Sequence, residues 1–241
     1  MVYIRTGIYY FLIIPLTIFY VLLSLLICFL PFPLRYKIIS SWARIHVWLL
    51  KVVCGMDYRI QGEENIPEEA SIIMSNHQSA WETLALQFIF PPQVWVLKKE
   101  LLWIPIFGWG LATLKPIAIN RKAGGKALMQ VVEQGTERLK KGIWITIFPE
   151  GTRIEPGKTR RFGKSGGVLA GTSGTLIVPV AHNAGLLWGK NSFVKRPGVI
   201  DLVIGPVIET TGKDSDQITE EVRQWIDPMV KKLVKEALNK S

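Results

Sequence analysis

The sequence predicts an α/β fold: a mixed, mostly parallel central sheet flanked by helices, with an N-terminal membrane-embedded helical segment. Three observations lead there. From Gly7 to Pro31 the chain carries no charged residue. From Met56 onward, short apolar runs alternate with stretches of helical periodicity, the pattern of strands joined by crossover helices. The length, 241 residues, suits one globular core plus an anchor and is too short for two generous domains.

The apolar run comes first. A helix rising ~1.5 Å per residue needs about 20 residues to cross ~30 Å of hydrocarbon, so Gly7–Pro31 is long enough. It is too long for the apolar part of a signal peptide, and no small-x-small cleavage site precedes the charged stretch. Pro15 lies inside it and is a candidate kink. A second segment, Ile38–Val53, is rich in tryptophan and aliphatics but interrupted by Arg44, His46 and Lys51. That mixture suits an interfacial helix better than a span; an amphipathic core helix is the plain alternative. Arg35, Lys37, Arg44 and Lys51 follow the run, against Arg5 before it, an asymmetry that puts the rest of the chain on the cytoplasmic side of the inner membrane. Residues 1–55 therefore read as a hydrophobic anchor of one or two helices, spanning or dipping into one leaflet, and residues 56–241 as a domain on the cytosolic side.

In that domain the expected strands are Asp57–Gln61, Ala70–Ser75, Val94–Lys98, Pro116–Ile119, Trp144–Phe148, Thr175–Ala181 and Val199–Ile208. The expected helices are Ala80–Phe90, Gly125–Lys140, Gly166–Gly171 and Ser215–Asn239. Pro228 should break the last helix or begin a new one capped by Asp227.

The formal net charge is +10, so the expected partners are anionic. The aromatics cluster in the anchor rather than among the basic residues, which favours a membrane and argues against nucleic acid. Cys28 and Cys54 are the only cysteines and suggest no disulfide framework, and the three histidines are far apart, so no metal site is expected.

Two islands carry chemistry. In Asn76-His77-Gln78-Ser79-Ala80-Trp81-Glu82 the strand ends and a helix begins. His77 and Glu82 would diverge by about 140° on one continuous helix. They can meet only if His77 lies in the loop and Glu82 in the first turn. Ser79-x-x-Glu82 fits a capping box, with Ser79 as N-cap, so Glu82 has two candidate roles: bonding the Ser79 amide and holding His77. In Phe148-Pro149-Glu150-Gly151-Thr152-Arg153 a sharp turn follows an apolar strand, at the sheet end where ligands gather. Arg153 can fork onto a phosphate, and Gly151 lets the backbone approach a ligand. A tight turn with a solvated arginine is the bland alternative. Downstream, Lys158, Arg160, Arg161 and Lys164 form a basic loop, but Gly157 and Gly163 enclose five residues where a nucleotide-binding P-loop needs four.

In this order the islands resemble the 1-acylglycerol-3-phosphate acyltransferase family, within the glycerolipid acyltransferases. The family's four blocks correspond to Asn76–Glu82, Lys98-Lys99-Glu100-Leu101 with Ile104–Gly108, Phe148–Arg153, and Ile177-Val178-Pro179-Val180, over residues 70 to 182. The resemblance implies a glycerol-3-phosphate acyltransferase-like fold. It implies transfer of a fatty acyl chain from acyl-CoA or acyl carrier protein to the sn-2 hydroxyl of lysophosphatidic acid, without a cofactor. His77 and Glu82 would be catalytic. Glu150, Gly151, Thr152 and Arg153, helped by Lys98 or Lys99, would hold the phosphate, with Asn76, Pro149 and Pro179 supporting the motifs. The family usually has Asp where this chain has Glu82, though some members resemble it in using Glu. No G-x-S-x-G elbow is present, consistent with direct transfer. Trp103, Ile104, Phe107, Trp109 and Leu111 either line an acyl channel or are plain core. Two rivals remain: another lysophospholipid acceptor, or a non-catalytic basic protein that recruits anionic lipids at a membrane surface.

Overall fold

The computed structural model describes residues 1–120 and 123–239. Two long helices lead the chain, α1 (Val2–Leu26) and α2 (Phe32–Cys54). The first continues through Pro15. The second is longer than the expected Ile38–Val53 because Pro33 suits a first turn, and Gly55 closes its far end in a left-handed conformation (φ 71°). The pair is stitched by polar bonds: Tyr9 Oη to His46 Nδ1 at 2.8 Å, Tyr20 Oη to Ser41 Oγ at 2.6 Å, and Trp42 Nε1 donating to Thr17 Oγ1 at 3.1 Å. Among the described residues α1 alone is long and apolar enough to cross a membrane; its most apolar window has mean hydropathy 2.2 and is only 22% buried.

The rest is a seven-stranded sheet built from β1 (Met56–Gln61), β2 (Ile72–Ser75), β3 (Gln93–Lys98), β4 (Ile117–Ile119), β5 (Trp144–Ile147), β6 (Ile177–His182) and β7 (Gly198–Ile204). Its order is β1-β7-β6-β2-β5-β3-β4. Every pairing is parallel except β6 with β7. The expected mixed, mostly parallel sheet is thus observed.

Side chains alternate across this sheet with period two. Ile73, Trp144, Val178, Val180 and Ile200 pack on one face with Tyr9, Val47 and Leu50 of α1 and α2 and with α3 (Trp81–Ile89). Ile72, Met74, Ile145, Ile147 and Ile177 pack on the other. That face is covered by α5 (Gly125–Lys140), α6 (Ser165–Ser173) and α7 (Ser215–Leu238). The helical hairpin is therefore seated on the same core as the sheet.

Two expectations need correcting. Pro228 does not break the last helix: α7 runs unbroken from Ser215 to Leu238. Pro228 is exposed, while Ile226 and Val230 on either side are buried against the sheet layer. Water can meet the carbonyl that the proline leaves without a donor, and tertiary burial outweighs the lost bond. The second correction is a helix the sequence reading lacked, α4 (Phe107–Thr113). Two glycines in seven residues hide its propensity. Gly110 packs tightly on α1: a Cβ there would stand 3.0 Å from Val21 Cγ2.

Candidate active site

β2 ends at Ser75 and α3 begins at Trp81, one residue later than expected, so His77 lies in the intervening loop and Glu82 in the first turn. The predicted meeting occurs: His77 Nδ1 is 2.8 Å from Glu82 Oε1. The same oxygen accepts the backbone N–H groups of Gln78 (2.9 Å) and Ser79 (2.8 Å), while Ser79 Oγ accepts from Trp81 N–H at 3.1 Å. One carboxylate thus bonds the Ser79 amide and holds His77, but the expected capping box does not form: the N-cap is Ala80, without a side-chain cap, and Ser79 Oγ meets the Trp81 amide rather than that of Glu82. Glu82 is fully buried. Burial alone would raise its carboxyl, but the nearby His182, the bond from His77 and the Ser79 amide outweigh that and hold it below the usual range. An ionised Glu82 makes Nδ1–H the donor, which leaves the Nε2 lone pair of His77 facing outward.

His77 is held on every side. Its ring stacks on Phe148, with centroids 4.1 Å apart and planes 14° apart. Its carbonyl accepts from Ile154 N–H at 2.7 Å, and its own N–H donates to Glu150 Oε2 at 2.6 Å. The second island is therefore folded directly over the first. Asn76 Nδ2 donates to the His182 carbonyl and its Oδ1 accepts the His182 N–H, both at 3.0 Å, which fixes the loop to the end of β6. Pro179 lies in β6 beside Met74 of β2. Pro149 accepts from Gly163 N–H at 2.7 Å, and Gly151 turns with φ 71°, a conformation that favours glycine.

A cavity of about 790 Å³ opens beside His77. Its polar end holds His77, Gly151, Thr152, Arg153 and Lys98; the rest of the wall, largely apolar with a few polar side chains such as Thr17, His46 and Gln87, comes mainly from α1, α2, α3 and α4. Arg153 makes no hydrogen bond or ion pair with another described residue, so its fork is free for a ligand. Of the residues weighed for an acyl channel, Phe107 and Leu111 line the cavity. Trp103, Ile104 and Trp109 do not and are exposed at the surface.

Three site expectations are revised. Glu150 is turned onto the first island rather than left open for a phosphate: its carboxyl is buried on the His77 amide and pushed up to about 8, chiefly by burial. Lys99 is exposed at the start of a short 3-10 turn outside the cavity lining, leaving Lys98 as the one of that pair that reaches it. Of the basic loop, Lys158 and Lys164 are in ion pairs with Glu155 and Asp216. The sequence reading also missed His182, a fully buried ring 3.9 Å from Glu82 Oε2, and Lys190, which joins the cavity wall from the loop after β6. The available signal for His182 was its position at the carboxyl end of a strand.

Comparison with known proteins gives the family. A family model described as acyltransferase matches residues 57–183, which include both islands. A 1-acyl-sn-glycerol-3-phosphate acyltransferase from Pseudomonas aeruginosa is 46% identical, covering 90% of this chain and 85% of its own. One of the same name from Borreliella burgdorferi is 31% identical, covering 83% and 79%. The crystal structure of the 1-acyl-sn-glycerophosphate (LPA) acyltransferase PlsC from Thermotoga maritima superposes with a TM-score of 0.78 at 26% identity, covering 97% of this chain and 94% of that one.

Proposed function

The chain belongs to the acyltransferase family, as its motifs suggested, and from that premise we propose that it acylates the sn-2 hydroxyl of 1-acyl-glycerol-3-phosphate to give phosphatidic acid. The donor is an acyl thioester, of coenzyme A or acyl carrier protein. The observation that carries the proposal is the His77–Glu82 pair opening onto a largely apolar cavity whose wall also holds Arg153, unpaired among the described residues. That arrangement suits a substrate with a long chain, a hydroxyl and a phosphate.

In this reading His77 Nε2 takes the hydroxyl proton as the oxygen attacks the thioester carbonyl. The tetrahedral intermediate expels the thiolate, which recovers the proton from His77. Glu82 keeps the imidazole in the required tautomer and stabilises its charged form, as carboxylates do in hydrolase triads. No acyl-enzyme forms and no cofactor is needed, because cleavage of the thioester drives the transfer. Arg153 forks onto the phosphate, with Lys98 beside it. The apolar face of α1 supports docking on the inner membrane, with the domain on the cytoplasmic side, where both substrates are at hand.

The test is acyl transfer by purified protein in detergent, with labelled lysophosphatidic acid and each thioester in turn. Phosphatidic acid should form and fall by about 10²–10⁴-fold in His77→Ala. Product on a phosphate-free acceptor alone would move the assignment to another lyso-lipid.

A further inference from the structure

The two oxygens of Glu82 are treated unequally. Oε1 takes three N–H donors, whereas Oε2, equally buried, has no hydrogen-bond partner among the described residues. A buried carboxylate oxygen without a donor is costly, so what stands opposite it matters. That group is Nε2 of His182, 3.9 Å away. His182 is fully buried at the end of β6 and lies outside the cavity lining, so it cannot meet substrate.

Its ring is fixed by the backbone. Ala184 N–H donates to Nδ1 at 3.2 Å, which leaves the proton on Nε2, and Nε2 donates to the Asn76 carbonyl at 2.9 Å. With the two bonds from the Asn76 amide, three hydrogen bonds join residue 182 to the residue just before His77. Burial, the leading influence, holds the His182 ring below its ordinary pKa, in keeping with a neutral imidazole that presents an N–H dipole. The titratable groups facing Glu82 are then His77 from the loop, His182 from β6 and Glu150 from the turn after β5.

We infer that His182 is a positioning residue for the His77–Glu82 pair: the N–H edge of its ring stands 3.9 Å from the second oxygen of Glu82 and offsets the carboxylate charge as a dipole, while its bonds to Asn76 hold the loop that carries His77. The inference rests on His77 as the base. It also accounts for a glutamate here. The extra methylene lets one carboxylate reach the His77 ring with one oxygen and face the His182 ring with the other, while an aspartate would have to retract from one of them.

Two polar substitutions separate this role from simple packing. His182→Gln keeps an N–H donor near the Nε2 position; His182→Asn places it near Nδ1. In the lysophosphatidic acid assay, His182→Gln should keep kcat within about threefold. His182→Asn should lower it about tenfold, the loss of a ring dipole held against a buried charge, with KM for both substrates nearly unchanged. The acid limb of the kcat–pH profile should move upward in His182→Asn, since Glu82 loses a partner that favours its charged form. In a Glu82→Gln background, His182→Asn should cost nothing further. Equal activity of the two variants, or full additivity with Glu82→Gln, overturns the inference. His77→Ala runs alongside: turnover surviving that change sinks the base assignment and this inference with it, whereas turnover lost there with Gln and Asn alike at 182 sinks the inference alone.

Discussion

Replacing Glu150 with glutamine separates two accounts of the Phe148–Arg153 turn. As a phosphate-side anion, Glu150 would need its charge. In the structure its carboxyl is buried, accepts the His77 N–H at 2.6 Å, and is raised from 4.5 to about 8. Burial is the main cause; Glu82 and Asp227 add to it, and the His77 amide and Arg160 oppose it. At neutral pH the group is then mostly the neutral acid, and glutamine copies it, oxygen acceptor included. The sign of the pH effect follows. A folded-state value above the unfolded one contributes stability that is complete below the unfolded value and is lost as pH rises through the folded one. Between about pH 5 and pH 9 the wild type should lose about 4 kcal/mol relative to Glu150→Gln. For a chain of this size that is roughly 8–16 °C in Tm. Thermal melts of both proteins across that range read it directly. At neutral pH, kcat of the glutamine variant should stay within about threefold, while Glu150→Ala, which orphans the His77 amide, should lose about tenfold or more. A Tm difference that ignores pH, or turnover abolished by glutamine at neutral pH, would refute the reasoning.

Other substitutions probe the remaining parts. Arg153→Lys keeps the charge but not the fork, so KM for the phosphate-bearing acceptor should rise about tenfold while kcat changes less; an unchanged KM in steady-state kinetics would remove Arg153 from the phosphate site. At Gly185 a Cβ would stand 2.9 Å from Gln78 Cβ and 2.8 Å from Pro156 Cγ. Gly185→Ala therefore presses on the residue after His77 and should cut kcat about 10- to 100-fold. Circular dichroism should show the fold retained. At Gly135 the obstacle is the buried Leu169, 2.7 Å from the new Cβ. Gly135→Ala should destabilise by about 1–3 kcal/mol in denaturant titration, with kcat of the folded fraction unchanged.

How far the sequence reveals this site depends on what each part must do. The approach of His77 to Glu82 was legible because the S-x-x-E pattern places the helix start to within one residue, and a five-residue spacing works only across that start. The strands were legible because each is a short apolar run between breakers, and their ends moved by only a few residues. The role of Glu150 was not, since nothing in Phe-Pro-Glu-Gly-Thr-Arg says which way a carboxyl in a turn will face. Only the parallel neighbours β2 and β5, paired Ile72 to Ile145 and Met74 to Ile147, bring the two loops into one layer and put the Glu150 carboxyl on the His77 amide. His182 was hidden for the same reason. Its importance comes from β6 pairing with β2 on the other side, Ser75 beside Val180, a long-range register that local patterns do not encode.

The two ends of the cavity differ in kind. Proton transfer and phosphate binding admit few residue types, so the polar end left recognisable islands. An acyl chain asks only for apolar surface, and any aliphatic or aromatic residue supplies it. Even so, part of the apolar end had a readable trace: Phe107, Gly110, Leu111 and Leu114, all lining the cavity, are spaced i, i+3, i+4 and i+7, one face of a helix. Trp109 falls off that stripe and Trp103 lies in the 3-10 turn before the helix; both face outward, 55% and 70% exposed. Recognising the helix first would have sorted wall from surface, and it was the glycines that concealed it. The same Gly110 that weakens the helical pattern sits where α4 packs on α1, a Cβ there standing 3.0 Å from Val21 Cγ2, so the residue that obscures the helix in the sequence marks where the helix meets the rest of the cavity wall.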